Sequence, residues 1–158
     1  MNGMGQFRGR VWDPVLLICQ IIAMQSIHYT SLAALILGLD ILTRTSKSLD
    51  QLFKYQNFFV TDLGGSKLIV AYVSSAALCA IALWYVVRRS KLCLDFTLTL
   101  HFWHLMVCWW YNGAFPWYLS WWLMECVCIA LTTVVGEYLC LQTELKAIPV
   151  SLGPKVDL

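Results

Sequence analysis

Four side chains able to bind a metal or carry a proton stand in the least polar part of this sequence. His101, His104 and Cys108 fall within Phe96–Met124, a stretch with no Asp, Glu, Lys or Arg, and Glu125 follows it directly. Imidazole, thiolate and carboxylate are all zinc ligands. The same groups inside a bilayer can form a proton or ion path. They can also simply clamp helices together by hydrogen bonds. The pattern favours the clamp. Two histidines spaced i, i+3 arise easily by chance, and no HExxH, GxSxG or comparable catalytic signature accompanies them. No catalytic residue, metal site or cofactor is therefore expected, and the chain does not read as an enzyme. A small four-helix transporter or channel using the buried His/Glu stripe is the alternative.

The clamp has a geometry. On a helix, Thr97, His101, His104, Cys108 and Tyr111 share one face, and Glu125, Cys128, Thr132 and Gly136 share a face of the next helix. Measured from residue 116 at ~1.5 Å per residue, Glu125 lies roughly 13 Å deep, Cys108 roughly 12 Å and His104 roughly 18 Å. Antiparallel neighbours then set Glu125 level with the His104–Cys108 turn, and a His104–Glu125 hydrogen bond or ion pair is expected. An earlier helix can add Gln20, Gln25 or His28, and another offers the small stripe Ala71, Ser75, Cys79 for close packing.

These side chains need membrane-spanning elements to hold them. The chain has 158 residues, of which 59% are hydrophobic and only 13% charged, against about 25% charged in soluble domains. Its mean hydropathy is +0.67. The net charge of +2 is too small to suggest a nucleic-acid partner. A bilayer core needs about 20 apolar residues in a helix. The apolar runs predict an all-α membrane protein with four transmembrane helices, at about 15–39, 68–87, 96–114 and 117–140. Asn112-Gly113 and Pro116 split the last two, being turn residues. The first span is too long for a cleavable signal peptide, and Asp13 can cap a helix that begins at Pro14.

Lys and Arg placement sets the expected orientation. The tight loop Arg88-Arg89-Ser90-Lys91 should face the cytosol, which puts both termini there with Arg8, Arg10, Lys146 and Lys155. Arg44, Lys47, Lys54 and Lys67 spread over a luminal loop, 40–67. Within that loop Ser48-Leu49-Asp50-Gln51 fits a capping box, so a short helix on the membrane surface is expected there, ended by Gly64-Gly65. The aromatic residues Trp109, Trp110, Tyr111, Phe115, Trp117, Tyr118, Trp121 and Trp122 crowd the luminal ends of the last two helices and read as an interfacial belt. The seven cysteines show no extracellular disulfide framework. Most read as small apolar residues in helices, with palmitoylation a weak alternative for Cys93 and Cys140.

Read together, these pieces resemble the Sys family of multispanning Golgi membrane proteins. The resemblance begins at Val11-Trp12-Asp13-Pro14 and continues through Ser48-Leu49-Asp50-Gln51. It is densest from Arg88 to Thr97 and at His101-Phe102-Trp103-His104-Leu105. It resumes at Trp121-Trp122-Leu123 and runs through Gly136-Glu137-Tyr138-Leu139-Cys140 to Thr143-Glu144-Leu145-Lys146. The ordered set is specific where no single piece is. The resemblance implies four transmembrane helices with cytosolic termini, a trans-Golgi location and a non-enzymatic role. It also implies a receptor that recruits an Arf-related small GTPase by its acetylated amino terminus. Beside that implication, Asp13, Asp95, Glu137 and Tyr138 map to the cytosolic boundary and are the expected partner-binding residues. Helix-end capping, or pairing with Arg88 and Arg89, is the competing role for the acids. Glu144 and Lys146 are expected only as solvated tail contacts.

Overall fold

The computed structural model describes residues 13–44, 50–54 and 63–146. Every regular element among them is helical: α1 (Pro14–Thr43), α2 (Asp50–Phe53), α3 (Leu63–Val86), α4 (Cys93–Asn112) and α5 (Leu119–Lys146), with a single 3-10 turn at Ser90–Leu92. Four helices are long and apolar enough to cross a membrane.

Helix α1 starts where its capping chemistry dictates. The Asp13 carboxylate accepts from the Val15 N–H at 3.1 Å and the Leu16 N–H at 3.3 Å, and Pro14 occupies the first turn, where a missing N–H matters least. One stripe of α1 turns inward, with Met24, His28, Leu32, Ile36 and Asp40 at i, i+4 spacing. Ile18, Ile22, Leu37 and Ile41 face outward, as they can when the surroundings are hydrocarbon.

Helix α3 is the packing axis. Ala71, Ser75, Ala76, Cys79 and Ala80 are all buried. Small side chains let backbones approach closely, which is how helices associate without a hydrophobic drive between them. α3 makes its most extensive contacts with α1 and α5. Ser31 and Ser75 hydroxyls meet at 3.0 Å across α1–α3, and Thr132 of α5 donates to the Ala76 carbonyl at 3.1 Å. At Gly136 the α5 backbone lies so close to α3 that an added Cβ would stand 2.9 Å from Leu83 Cδ1.

The two ends of the bundle are tied differently. At one end α3 stops at Val86 and the chain reverses through Arg88, whose backbone is left-handed (φ 55), and whose N–H donates to the Leu83 carbonyl at 3.1 Å. Gln20 of α1 donates to the Val86 carbonyl at 2.9 Å. The start of α1 and the end of α5 therefore lie at this same end. At the other end Asp40 of α1 pairs with Lys67 of α3, and Gly113 (φ 63) terminates α4.

Several element bounds differ from those read off hydropathy. α1 runs on to Thr43 and α3 begins at Leu63, so the loop expected at 40–67 is shorter at both ends. Gly64 and Gly65 open α3 rather than end a loop helix, because the Asp40–Lys67 pair draws that turn onto α1. Ser48 and Leu49 lie outside the described residues. The described part of the loop helix, α2, packs onto the bundle. Leu52 is buried against Leu32, Ile36 and Leu68, because two side chains hold its carbonyls down. Tyr72 donates to the Leu52 carbonyl at 2.6 Å and Asn112 donates to the Phe53 carbonyl at 2.7 Å.

Filling the α3–α5 contact should be costly. Gly136→Val is expected to destabilise the protein by about 1–3 kcal/mol, the usual range for overpacking, and Gly136→Ala by less, because the end of Leu83 can shift. Thermal unfolding in detergent checks the order.

Candidate functional site

The polar stripes of α4 and α5 meet inside the bundle. Thr97, His101, His104 and Cys108 are buried on α4, and Glu125, Cys128, Thr132 and Gly136 on α5. Tyr111 departs from the stripe and is exposed, with its ring 5.3 Å from that of Phe53. Glu125 is the residue that joins the helices. Its Oε2 lies 2.6 Å from His101 Nδ1, and its Oε1 lies 3.7 Å from His104 Nε2. The expected His104–Glu125 pairing is thus the longer of two, and His101 is the closer partner. The connector occupies residues 113–118 with Pro116 fully buried, and α5 starts at Leu119.

Other helices complete the cluster. His28 of α1 brings its ring within 5.6 Å of His104 and 6.0 Å of His101, and its Nδ1 lies 3.6 Å from Cys79 Sγ. Tyr72 of α3 places its hydroxyl 3.5 Å from His104 Nε2, and Cys108 Sγ is 3.5 Å from the same nitrogen. Gln25 donates to the Leu100 carbonyl at 3.4 Å. No group of three His, Cys, Asp or Glu side chains among the described residues has the arrangement to hold a metal ion. What the geometry provides is a hydrogen-bonded core joining all four long helices. Tyr72, which bonds within it, and Tyr29, whose ring packs on those of His28 and His104, carry no sequence signature, since a lone Tyr in an apolar run looks like any aromatic. On the outer side of the His101–Glu125 bond, between α4 and α5, lies an apolar groove of about 290 Å³ walled by Leu98, Phe102, Leu105, Trp122 and Ile129.

The second region is the Arg88–Lys91 end. Glu144 was expected to be a solvated tail contact, but it clamps the reversal. Its Oε1 accepts from the Ser90 N–H at 3.1 Å and its Oε2 from the Ser90 hydroxyl at 2.8 Å. Ser90 presents an unsatisfied N–H ahead of α4, and α5 reaches it because it runs a turn and a half beyond the apolar stretch. Trp84 adds a bond to Thr143 at 2.7 Å. Beneath the clamp, Cys93 and Cys140 are fully buried with their sulfurs 3.7 Å apart. They point into the bundle, away from the surface an acyltransferase would need.

Beside the clamp lies a groove of about 400 Å³ lined by Ser90, Lys91, Val134, Glu137, Tyr138 and Leu141. Glu137 and Tyr138 are exposed there, Tyr138 by 61%. Asp95 is exposed in the first turn of α4, and Asp13 is exposed at the same end, its carboxylate serving as the α1 cap. Among the described residues neither Asp95 nor Glu137 forms an ion pair with Arg88 or Arg89. Arg88 instead sits 5.7 Å above the Tyr85 ring. At the opposite end the aromatic residues form an outward girdle, with Trp110 87% and Trp117 83% exposed. Trp121 is the exception, fully buried and packed edge-on to Trp122.

The two regions respond differently to substitution. Glu125→Gln keeps a partner for His101 and should lose about 1–2 kcal/mol, the scale of an interhelical hydrogen bond in a membrane. Glu125→Leu strands His101 and should lose more. Glu144→Ala is expected to loosen residues 88–92 with little effect on global unfolding, which protease susceptibility at Arg88 and Arg89 checks.

Comparison with known proteins agrees with this architecture. Residues 7–150 match the model of a family described as "SYS1: Integral membrane protein S linking to the trans Golgi network". The chain is 47% identical over 147 residues to "Protein SYS1 homolog" of Nematostella vectensis, covering 93% of each protein. It is 34% identical over 151 residues to "Protein SYS1 homolog" of Dictyostelium discoideum, covering 96% of this chain and 65% of that protein. It is 25% identical over 133 residues to "Protein SYS1" of Saccharomyces cerevisiae, covering 80% of this chain and 63% of that one. No solved structure matches. A four-helix membrane bundle matched by that family model over almost its whole length belongs to the SYS1 family of integral membrane proteins of the Golgi.

Proposed function

We propose that this Golgi membrane protein is a non-enzymatic receptor that recruits an Arf-related small GTPase to the trans-Golgi, by taking the GTPase's acetylated amino terminus into the groove beside Glu137 and Tyr138. The observation that carries this reading is the groove itself. It lies at the end of the bundle where the chain turns from α3 into α4, with Val134 and Leu141 as apolar wall and Lys91, Glu137 and Tyr138 as polar rim. Acetylation removes the terminal charge, so an apolar peptide end can enter at membrane level without burying an ammonium group. Tyr138 suits a docking role because an exposed aromatic supplies large contact area with few torsions to freeze.

Charge supports the compartment. Arg88, Arg89, Lys91 and Lys146 gather at this end of the bundle, and an excess of Lys and Arg marks the cytosolic side. A cytosolic GTPase would then meet the groove directly. Asp13 and Asp95 are exposed at the same end of the bundle. The Glu144 clamp holds Ser90 and Lys91 as the groove's fixed wall.

In cells lacking this protein the GTPase should disperse from the Golgi and return on re-expression of the wild type. Tyr138→Ala and Glu137→Lys should each weaken recruitment by about tenfold, equivalent to ~1.4 kcal/mol, at normal receptor abundance and location. Live imaging of the GTPase checks this. A GTPase that stays on the Golgi without the receptor contradicts the reading, and ion flux through the purified protein in proteoliposomes would favour a transporter instead.

A further inference from the structure

The buried cluster has more hydrogen-bonding capacity than its packing uses. His28 Nε2, Tyr29 Oη, His104 Nδ1 and Glu125 Oε1 are all buried without a hydrogen-bond partner in the protein. A clamp whose only task was to hold helices together would satisfy these atoms or replace them with apolar groups, because an unsatisfied buried polar atom destabilises. Here they are concentrated around one carboxylate and three imidazoles, on three different helices.

The groups facing this point come from every long helix: His28 and Tyr29 from α1, Tyr72 and Cys79 from α3, His101, His104 and Cys108 from α4, Glu125 and Cys128 from α5. No Lys or Arg stands among them; the Asp40–Lys67 pair is occupied with itself at the end of α1 and α3. One proton is fixed by geometry, between His101 Nδ1 and Glu125 Oε2. His104 Nδ1 and Glu125 Oε1 remain as the places where another can be taken up or given off. Moving a proton there changes the charge of a site that the surroundings cannot screen.

The cluster is also wired to α2. Tyr72 donates its hydroxyl proton to the Leu52 carbonyl, so toward His104 its oxygen can only accept. Hydrogen bonds therefore run from His104 Nε2 through Tyr72 to the backbone of α2, with Glu125 Oε1 3.7 Å from the same nitrogen and not bonded to it. Tyr29 and Tyr111 hold Phe53 at ring separations of 6.1 and 5.3 Å, and Asn112 holds its carbonyl. α2 is thus a cap of one helical turn, seated by side chains of α3 and α4. Its seat includes a histidine whose hydrogen-bonding direction depends on its protonation.

We propose that His101, His104 and Glu125, with His28 beside them, form an exchangeable proton-binding site inside the membrane, and that its occupancy sets how tightly the α2 cap seats on that end of the bundle. With His104 neutral and its proton on Nε2, that N–H donates to Tyr72, which is held in line for the Leu52 carbonyl, and the cap is seated. A second proton at His104 Nδ1 makes the ring cationic and draws its Nε2–H to the Glu125 carboxylate, so Tyr72 loses that support and the cap loosens. This inference does not rest on GTPase recruitment; it follows from the cluster and the cap alone.

The test uses the full-length protein in lipid nanodiscs, with isotope-labelled histidine. NMR follows the imidazole signals from about pH 5 to pH 9, the range over which histidine environments titrate. Amide hydrogen exchange at residues 51–54, corrected for the intrinsic rate, is followed over the same range. The wild type should show a histidine titration within that window, with protection at residues 51–54 changing by roughly threefold or more at the same midpoint. Glu125→Gln removes the negative charge beside the imidazoles and should lower the midpoint by about one pH unit, a tenfold loss of proton affinity. Tyr72→Phe removes only the hydroxyl, so it should keep the histidine titration and lose the coupled change at residues 51–54. Histidine signals that do not titrate in the wild type overturn the proton site. A cap whose exchange ignores the titration, or follows it equally well in Tyr72→Phe, overturns the coupling. Both wild-type readouts decide the matter even if a variant fails to fold.

Discussion

Glu125 sets the terms for the bundle. A carboxylate at membrane depth has no water to turn to, and an acidic residue at the centre of a spanning helix carries a penalty of about 2.5–3.5 kcal/mol on insertion scales. It must therefore face a donor inside the protein, and His101 provides one at 2.6 Å. That bond fixes which face of α5 meets which face of α4. With it fixed, His104 also turns inward, Tyr72 of α3 comes within reach of His104, and the Tyr72 hydroxyl meets the α2 backbone. The lipid-facing side follows by exclusion, with Leu98, Phe102 and Trp103 on α4 and Leu123, Val127 and Val134 on α5 all exposed.

The two ends of the bundle then serve different purposes. At the end where the α1 start and the α5 end meet, α5 outreaches its apolar span, and Glu144 caps the Ser90 turn. The result is a short, basic, well-held reversal with a groove beside it that has one apolar wall and a mixed polar rim. At the opposite end aromatic rings mark the interface and α2 closes over the polar core. Among the described residues, Arg88, Arg89 and Lys91 stand at the end that holds this groove.

Much of this was legible in the residues. Apolar length gave four crossings, Asp13-Pro14 marked the first helix start, and 3.6-residue spacing put His101, His104, Cys108 and Glu125 on inward faces. Hydropathy could not see how far helices continue through polar sequence. Thr43, Gly64 and Lys146 are helical because partners across the bundle, Lys67 with Asp40 and Glu144 with Ser90, hold those turns in place. Counting depth from residue 116 used one origin for both helices, whereas α4 ends at Asn112 and α5 starts at Leu119, so the count could not tell that His101, not His104, is the closer partner of Glu125. Trp121 illustrates the same limit, because belt composition does not say which of two adjacent tryptophans turns inward. The family resemblance carried the location.

The central claim is that the partner docks at the Arg88–Lys91 end, in the groove beside Tyr138. The most direct measurement is site-specific photo-crosslinking in Golgi membranes, with a photoreactive residue at position 138 or at position 110 of the opposite end. The account predicts capture of the Arf-related GTPase from position 138, dependent on its amino-terminal acetylation, and none from position 110. Capture from position 110 with none from position 138 would contradict it.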